Sequence, residues 1–173
     1  AYGLDIVRTR AFNHTGPRRG KVFVTSNFCY QIALMEAGRQ EPVLQVGDLT
    51  PVRDFTDVRD MVRAYWLALE SGAKGEVYNI GSDSGRSIGE VVDMLRTMTK
   101  VDFTIHRDEA RLRPAEVPII ISDSGKFYRV TGWRALELIE DGWEPLIPFR
   151  QTLIDLLSYW RAKVGIDKVV ERV

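Results

Sequence analysis

The sequence predicts an α/β fold built on an incomplete parallel sheet. Three observations carry this. Apolar, β-branched runs alternate with stretches of helical period. The alternating units are too few for a complete dinucleotide-binding domain. No Gly-x-Gly-x-x-Gly or Gly-x-x-Gly-x-x-Gly turn joins a strand to a helix.

Leu4 to Phe12 reads as a strand, with Leu4-Asp5-Ile6-Val7 entering a core. Thr15-Gly16-Pro17-Arg18-Arg19-Gly20 is a loop, marked by Gly and Pro. Val24 to Ala37 is helical, because Phe28, Ile32, Ala33 and Met35 keep the period and Gly38 supplies the stop. Pro42 to Val46 is a short strand. Thr56 to Ser71 is a strong helix, with Val58, Met61, Val62, Tyr65 and Leu69 on one face, Asp57 and Asp60 at its amino end and Gly72 past its last turn. Glu76 to Ile80 is the next strand. Ser87 and Glu90 have capping-box spacing, so a helix follows to about Thr99. Phe103 to His106 is a strand and Pro118 to Ser122 a short apolar run, whereas Gly125 to Val130 stays unassigned. Helices are expected over Ala135 to Ile139 and over Pro148 to Lys163, the second turning Leu153, Leu156, Leu157 and Trp160 inward.

A chain of 173 residues fits one compact domain with a real core. Its 45% hydrophobic and 28% charged residues, with a mean hydropathy of -0.17, exclude the composition of a disordered chain. Lys plus Arg and Asp plus Glu both number 24, so net charge is zero. That excludes broad nucleic-acid binding, which draws on clustered cations, and leaves room for a local basic pocket. The single cysteine, Cys29, lies in an apolar helical stretch and reads as packing. One cysteine with His14 and His106 makes no structural zinc pattern. No apolar run reaches the roughly 18 residues of a membrane span, and no signal peptide is visible. A cytoplasmic location is the expectation. With no initiator Met and a strand at its start, the chain is expected to be a piece of a longer one.

Several ordered blocks carry a resemblance: Arg10-Ala11-Phe12-Asn13-His14-Thr15-Gly16-Pro17, Val52-Arg53-Asp54-Phe55-Thr56-Asp57-Val58-Arg59-Asp60, Gly75-Glu76-Val77-Tyr78-Asn79-Ile80-Gly81-Ser82, Arg111-Leu112-Arg113-Pro114-Ala115-Glu116-Val117 and Asp123-Ser124-Gly125-Lys126-Phe127. With their spacing, they resemble the extended short-chain dehydrogenase/reductases that act on nucleotide-sugars, nearest to the GDP-mannose 4,6-dehydratases. The resemblance implies the carboxyl-terminal part of a Rossmann-type enzyme: an incomplete parallel sheet plus a small substrate-binding lobe, residues 1–173 being one substrate-binding domain or fragment. The amino-terminal half that binds NAD(P) would be absent, and with it the catalytic centre.

By position, the resemblance makes Asn13 a contact of the substrate diphosphate and sugar, Arg53 and Arg113 its guanidinium clamps, and Glu116 the carboxylate on the ribose. Two guanidinium forks suit a diphosphate and a carboxylate suits a diol. Taken alone, Arg53 could equally be a surface partner of Asp54 or Asp57, and Asn13 a turn cap. Val22 and Thr25 fall in the segment that lies along the nucleotide, with Asn27 where the dehydratases commonly have Lys. Phe12 and His14 fall at the nicotinamide end of the cofactor, His14 equally being a histidine held in its turn. Arg18 and Arg19 fall in a basic loop near the cofactor and a subunit contact, or in a solvated loop.

Two departures stand out. The Thr15-Gly16-Pro17 form is nearer the reductases and epimerases, and residues 134–142 are extra length with no assigned function. Tyr159-Trp160-Arg161-Ala162-Lys163 has the family's catalytic Tyr-x-x-x-Lys spacing but comes long after the Asn13 block, where the family places the pair before it, so it reads as packing. The implied whole is a homo-oligomeric 4,6-dehydratase acting on a GDP-hexose. A GDP-4-keto-6-deoxymannose reductase, another nucleotide-sugar epimerase or a non-catalytic nucleotide-sugar binding module are the alternatives.

Overall fold

Two parallel strand pairs organise the chain, each in its own unit. The computed structural model describes residues 4–112, 117–132 and 146–165. Its elements are β1 (Arg8–Ala11), β2 (Asn13–Thr15), α1 (Val24–Glu36), β3 (Val43–Val46), β4 (Val52–Asp57), α2 (Val58–Ser71), β5 (Val77–Ile80), β6 (Gly85–Ser87), α3 (Ile88–Arg96), β7 (Thr104–Arg107), β8 (Ile119–Ile120), α4 (Gly125–Thr131) and α5 (Phe149–Val164). The first unit gathers residues 1–14, 53–85 and 119–149, and the second residues 15–52, 86–118 and 150–173. The remaining strands run in the order β2-β4-β6, with β8 also paired to β4. The helix expected over Ala135 to Ile139 and the extra length at 134–142 lie outside the described residues.

In the first unit β1 pairs in parallel with β5, from Arg8 opposite Val77 to Ala11 opposite Ile80. The Phe12 N–H extends the ladder to the Ile80 carbonyl at 2.9 Å. Period-two alternation turns Tyr78 and Ile80 to one face, where Met61, Ala64 and Ala68 of α2 and Phe127 of α4 complete a core. Tyr78 meets Phe127 edge-on at 5.7 Å.

The inward face of α2 differs from the expected one. Val62 and Leu69 are 60% and 75% exposed, and Tyr65 is only partly buried. The α2 residues that enter the core are Met61, Ala64 and Ala68. A pattern weighted by large apolar residues picks the neighbouring stripe instead. The start of the chain differs too. Leu4 and Ile6 are 63% and 51% exposed, β1 is exposed along its length, and only Val7 packs on the core. Parallel strands are ordinarily covered on both faces, but among the described residues β1 pairs with β5 alone.

Strand β4 was not legible because Arg53, Asp54 and Asp57 interrupt its apolar run. The structure buries them, and Asp54 is wholly enclosed. Its Oδ1 accepts from the Ser82 N–H at 2.8 Å and the Ser82 hydroxyl at 2.5 Å. Its Oδ2 accepts from the Ser122 hydroxyl at 2.6 Å, the Asp83 N–H at 3.0 Å and the Ser122 N–H at 3.1 Å. One carboxylate thus joins β4 to the turn after β5 and to the segment between β8 and α4. Gly81 is required beside it: a Cβ there would lie 2.6 Å from Asp54 Oδ2 and collide with the Ser122 side chain.

Helix α2 begins at Val58 rather than Thr56 because Asp57 is its N-cap, accepting from the Arg59 N–H at 2.8 Å. Asp60, one turn in, is buried with Oδ2 unpartnered, while Oδ1 accepts from Arg63 at 3.2 Å. Burial, with the nearby Asp57 charge, outweighs the Arg63 and Arg59 guanidinium groups and pushes its carboxyl up to about 6.

In the second unit β3 pairs in parallel with β7, from Val43 opposite Thr104 to Val46 opposite Arg107. Leu44 and Val46 of β3 are buried, as are Phe28, Ile32 and Ala33 of α1, Val91 and Leu95 of α3, and Leu153, Leu156 and Leu157 of α5. Each fully buried Val, Leu, Ile or Phe side chain among these contributes about 1.5–3 kcal/mol. Gly38, at φ 64°, ends α1 as expected. The expected capping box is present: Ser87 Oγ accepts from the Glu90 N–H at 3.1 Å, and Glu90 Oε2 from the Ser87 N–H at 2.6 Å. Trp160 donates from its indole N–H to Ser26 Oγ at 2.8 Å and tilts against Tyr30, while Arg161 grips Glu36 at 2.6 and 2.7 Å. Burial alone would raise Glu36, but Arg161 and the Thr99 hydroxyl outweigh it and hold the carboxyl below its ordinary value. Cys29 is fully buried and burial pushes its thiol well up, consistent with packing. The segment left unassigned, Gly125 to Val130, is the short helix α4.

Two outcomes follow. Asp54→Ala leaves buried donors without their acceptor, so it is expected to cost about 3 kcal/mol or more, read as a lowered urea midpoint; an unchanged midpoint would remove Asp54 from its place in the fold. Asp60 titrates higher folded than unfolded, so the folded state binds the extra proton between about pH 4 and pH 6 and loses that advantage as pH rises. The stability of the wild type relative to Asp60→Asn should therefore fall by about 1–2 kcal/mol across that window, checked by denaturation at pH 4 and pH 7.

Candidate functional site

The expected site residues fall in two groups, one in each unit. In the first, the chain leaves β1 through Phe12, Asn13 and His14. Phe12 is part-buried and Asn13 is exposed beyond the strand's carboxyl end, where open α/β sheets bind ligands. His14 donates from Nδ1 to the Phe12 carbonyl at 3.0 Å. A carbonyl only accepts, so this bond places the neutral ring's proton on Nδ1 and leaves Nε2 as an acceptor. His14 is thus held by its own backbone, but within β2 rather than in the expected turn. Arg53 sits on β4 at 7% exposure, which rules out a solvent-exposed ion pair. Arg59 spends its guanidinium on Asp57, at 2.9 Å from Nε and 2.8 Å from Nη2.

The second group lies around the start of α1. Val22 is 85% exposed. Thr25 is buried, its hydroxyl 2.8 Å from that of Thr15, so it locks the loop to the helix rather than facing outward. Arg18 is exposed with φ 74°, and the Arg19 guanidinium lies 3.5 Å from the Phe23 ring centre. Burial lowers the pKa of Arg19, and its Nε has no partner. The Arg19 carbonyl accepts from Ser26 Oγ at 2.6 Å, which fastens the basic loop to the first turn of α1. Arg113 and Glu116 lie outside the described residues.

Asn27 is the best-connected residue of this group. Its Oδ1 accepts from Gln31 Nε2 at 2.6 Å and Arg111 Nη1 at 3.0 Å, and its Nδ2 donates to the Lys21 carbonyl at 2.9 Å. Gln31, only 4% exposed, also donates to the Gln45 carbonyl at 3.0 Å and accepts from the Gln45 N–H at 2.8 Å and from Gln40 Nε2 at 3.2 Å. Around these amides lies a cavity of about 290 Å³, walled by Asn27, Tyr30, Gln31, Gln45 and Arg111, with Gln40, Glu41 and Val43 completing its lining. The sequence reading named Asn27 alone of these. The available signal was the pair of amides at Asn27 and Gln31, one helical turn apart on an otherwise apolar face.

Tyr159 and Lys163 stack as helix neighbours, with Nζ 5.9 Å from the ring centre and Tyr159 edge-on to Trp160 at 5.3 Å. That geometry is packing. Among the described residues no cluster of three or more His, Cys, Asp or Glu side chains could hold a metal ion, and no helix is long and apolar enough to cross a membrane.

The sequence profile of the GDP-mannose 4,6 dehydratase family matches residues 1–145. A GDP-6-deoxy-D-mannose reductase of Pseudomonas aeruginosa is 35% identical over 162 residues, which is 94% of this chain and 50% of the reductase. GDP-mannose 4,6 dehydratase 2 of Arabidopsis thaliana is 30% identical over 169 residues, 96% of this chain and 43% of that protein. Among solved structures, RMD from Pseudomonas aeruginosa complexed with NADPH superposes with a TM-score of 0.82 at 33% identity, over 93% of this chain and 50% of that one. UDP-glucose 4-epimerase from Thermotoga maritima, solved with UDP-glucose, gives a TM-score of 0.73 at 28% identity, over 95% and 48%. The chain spans about half the length of the curated relatives it matches. It belongs to the GDP-mannose 4,6-dehydratase family of extended short-chain dehydrogenase/reductases.

Proposed function

We propose that this chain is the GDP-hexose-binding portion of an NAD(P)-dependent GDP-mannose 4,6-dehydratase-like enzyme. The observation that carries this reading is the family match across residues 1–145, supported by the cavity walled by Asn27, Gln31 and Arg111. Two of the helix starts, those of α2 and α3, do not suit a dinucleotide's phosphates. The amino end of α2 is occupied by the Asp57 carboxylate with Asp60 behind it, and that of α3 is closed by the Ser87–Glu90 box. NAD(P) would supply hydride exchange with the sugar from a site in the remaining half, with Phe12, His14, Arg18 and Arg19 as this chain's contribution to its surroundings.

The work of these residues is binding and orientation. Asn13, Arg53 and Arg113 would hold the diphosphate and Glu116 the ribose, fixing the hexose for reaction at C4. Positioning of this kind supplies several kcal/mol of a barrier reduction. The intact protein is taken to be a cytoplasmic homo-oligomer. One observation favours a second reading, a GDP-4-keto-6-deoxymannose reductase: the Pseudomonas reductase is more similar in sequence than the Arabidopsis dehydratase, 35% against 30%. Turnover separates the two. A dehydratase converts GDP-mannose with no net consumption of reduced cofactor; a reductase consumes NAD(P)H against the 4-keto sugar.

Two measurements test the proposal. The 173-residue chain mixed with NAD(P) and GDP-mannose should form no product; product that disappears with Tyr159→Phe would restore a catalytic role to the last helix. In the intact enzyme, Arg53→Ala and Arg113→Ala should each weaken GDP binding about tenfold or more, as loss of a hydrogen bond to a charged group does. Because Arg53 is buried, a thermal melt accompanies its titration. Unchanged calorimetric affinity in both variants would overturn the diphosphate assignment.

A further inference from the structure

We infer that Arg111 is a phosphate-binding residue of the nucleotide site, and that Asn27, steadied by Gln31, positions it. The inference rests on the nucleotide-sugar reading and adds to it a cation that neither the family match nor the sequence pattern assigns. Arg111 lies at the end of a single 3-10 turn, Glu109–Arg111, after β7. Its backbone is seated against the end of β3, where a Cβ at Gly47 would come within 2.9 Å of the Arg111 carbonyl. The side chain is therefore delivered to the cavity wall by two elements of the second unit.

The guanidinium is aimed but not used up. Nε donates to Asp108 Oδ2 at 3.1 Å and Nη1 to Asn27 Oδ1 at 3.0 Å. Nη2 has no hydrogen-bond partner among the described residues. Asn27 is a neutral acceptor, so it orients the fork without cancelling its charge, and Asp108 meets only the Nε edge. The free Nη2 can donate a charge-assisted hydrogen bond to a phosphate oxygen. The side chain of Arg111 is 39% exposed, open to a ligand from the cavity.

The supporting shell is rigid. Gln31 uses both ends of its amide, bonding Asn27, Gln40 and both backbone groups of Gln45, so Asn27 cannot rotate without breaking a buried network. The Asn27 Nδ2 bond to the Lys21 carbonyl fixes which way that amide points. The cavity of about 290 Å³ is of the order needed for one end of a nucleotide, with Tyr30 and the glutamine amides as walls. The ligand class is a nucleoside diphosphate, with a phosphate on Arg111 and the nucleoside within the cavity.

Calorimetric titration of the 173-residue chain with GDP and, separately, with guanosine tests this. Arg111→Ala should weaken GDP binding about tenfold or more and leave guanosine within about twofold, with Arg111→Lys recovering part of the loss. Asn27→Leu should weaken GDP in the wild-type background and have no further effect in the Arg111→Ala background, because its role passes through the guanidinium. A purely structural role for Asn27 would instead add to the Arg111 loss. GDP affinity unchanged in Arg111→Ala and in Arg111→Gln, both folded by circular dichroism, overturns the inference. Equal weakening of GDP and guanosine overturns it too, by making Arg111 a wall of the nucleoside pocket. Failure of the wild-type chain to bind GDP, UDP or dTDP would instead fell the nucleotide-sugar reading itself.

Discussion

The Asp54 carboxylate is the constraint on which the first unit depends. A buried charge is tolerable only when its lone pairs are met by donors, and five donors from Ser82, Asp83 and Ser122 converge on this one. The consequence is geometric. Strand β4, the turn leaving β5 and the segment leading into α4 have to meet at one point, and Gly81 has to lack a side chain to let them. Ser124 extends the same cluster, taking the Gly81 N–H at 3.0 Å and giving its own N–H to Asp83 at 2.9 Å. Arg53 and Asp57 occupy the same strand, so the position of a candidate substrate residue and the start of α2 both follow from how Asp54 is held.

The second unit uses neutral amides where the first uses a carboxylate. Gln31 closes a ring of hydrogen bonds with Asn27, Gln40 and the backbone of Gln45. Neutral groups carry a smaller desolvation cost than charges, and they can sit beside a cavity without repelling an anion. This arrangement changes what the Asn27 position means. The side chain spends its amide on Gln31, Lys21 and Arg111, so its chemistry reaches the cavity through the guanidinium it holds. The resemblance had marked Asn27 as a departure from a lysine. The structure places a cation there from a distant part of the chain.

Much of the element order was legible because it rests on local physics. The α1 stop at Gly38, the Ser87–Glu90 box and the leucines of α5 are read from residues within a turn of one another. Strand β4 was not legible, because the Asp54 in its middle is met by partners 28 to 68 positions away. Nor was the inward face of α2, where Ala64 and Ala68 join Met61 in the core and Val62 and Leu69 do not. Of the site, Asn13, His14 and Arg53 were named from the family resemblance. Thr25, which the resemblance puts in the segment along the nucleotide, has its hydroxyl tied to Thr15 inside the fold.

The sequence by itself determined the family, the alternation of strands and helices, and the absence of a glycine-rich phosphate turn, because each is written in contiguous residues. The tertiary structure alone decided that Asp54 is a buried junction and that Arg111 stands beside Asn27, 84 positions away. It also decided that Ala64 and Ala68, with Met61, face the core along α2 while Val62 and Leu69 stay exposed. These are long-range matters of who approaches whom, fixed by close packing and by the need of every buried polar group for a partner.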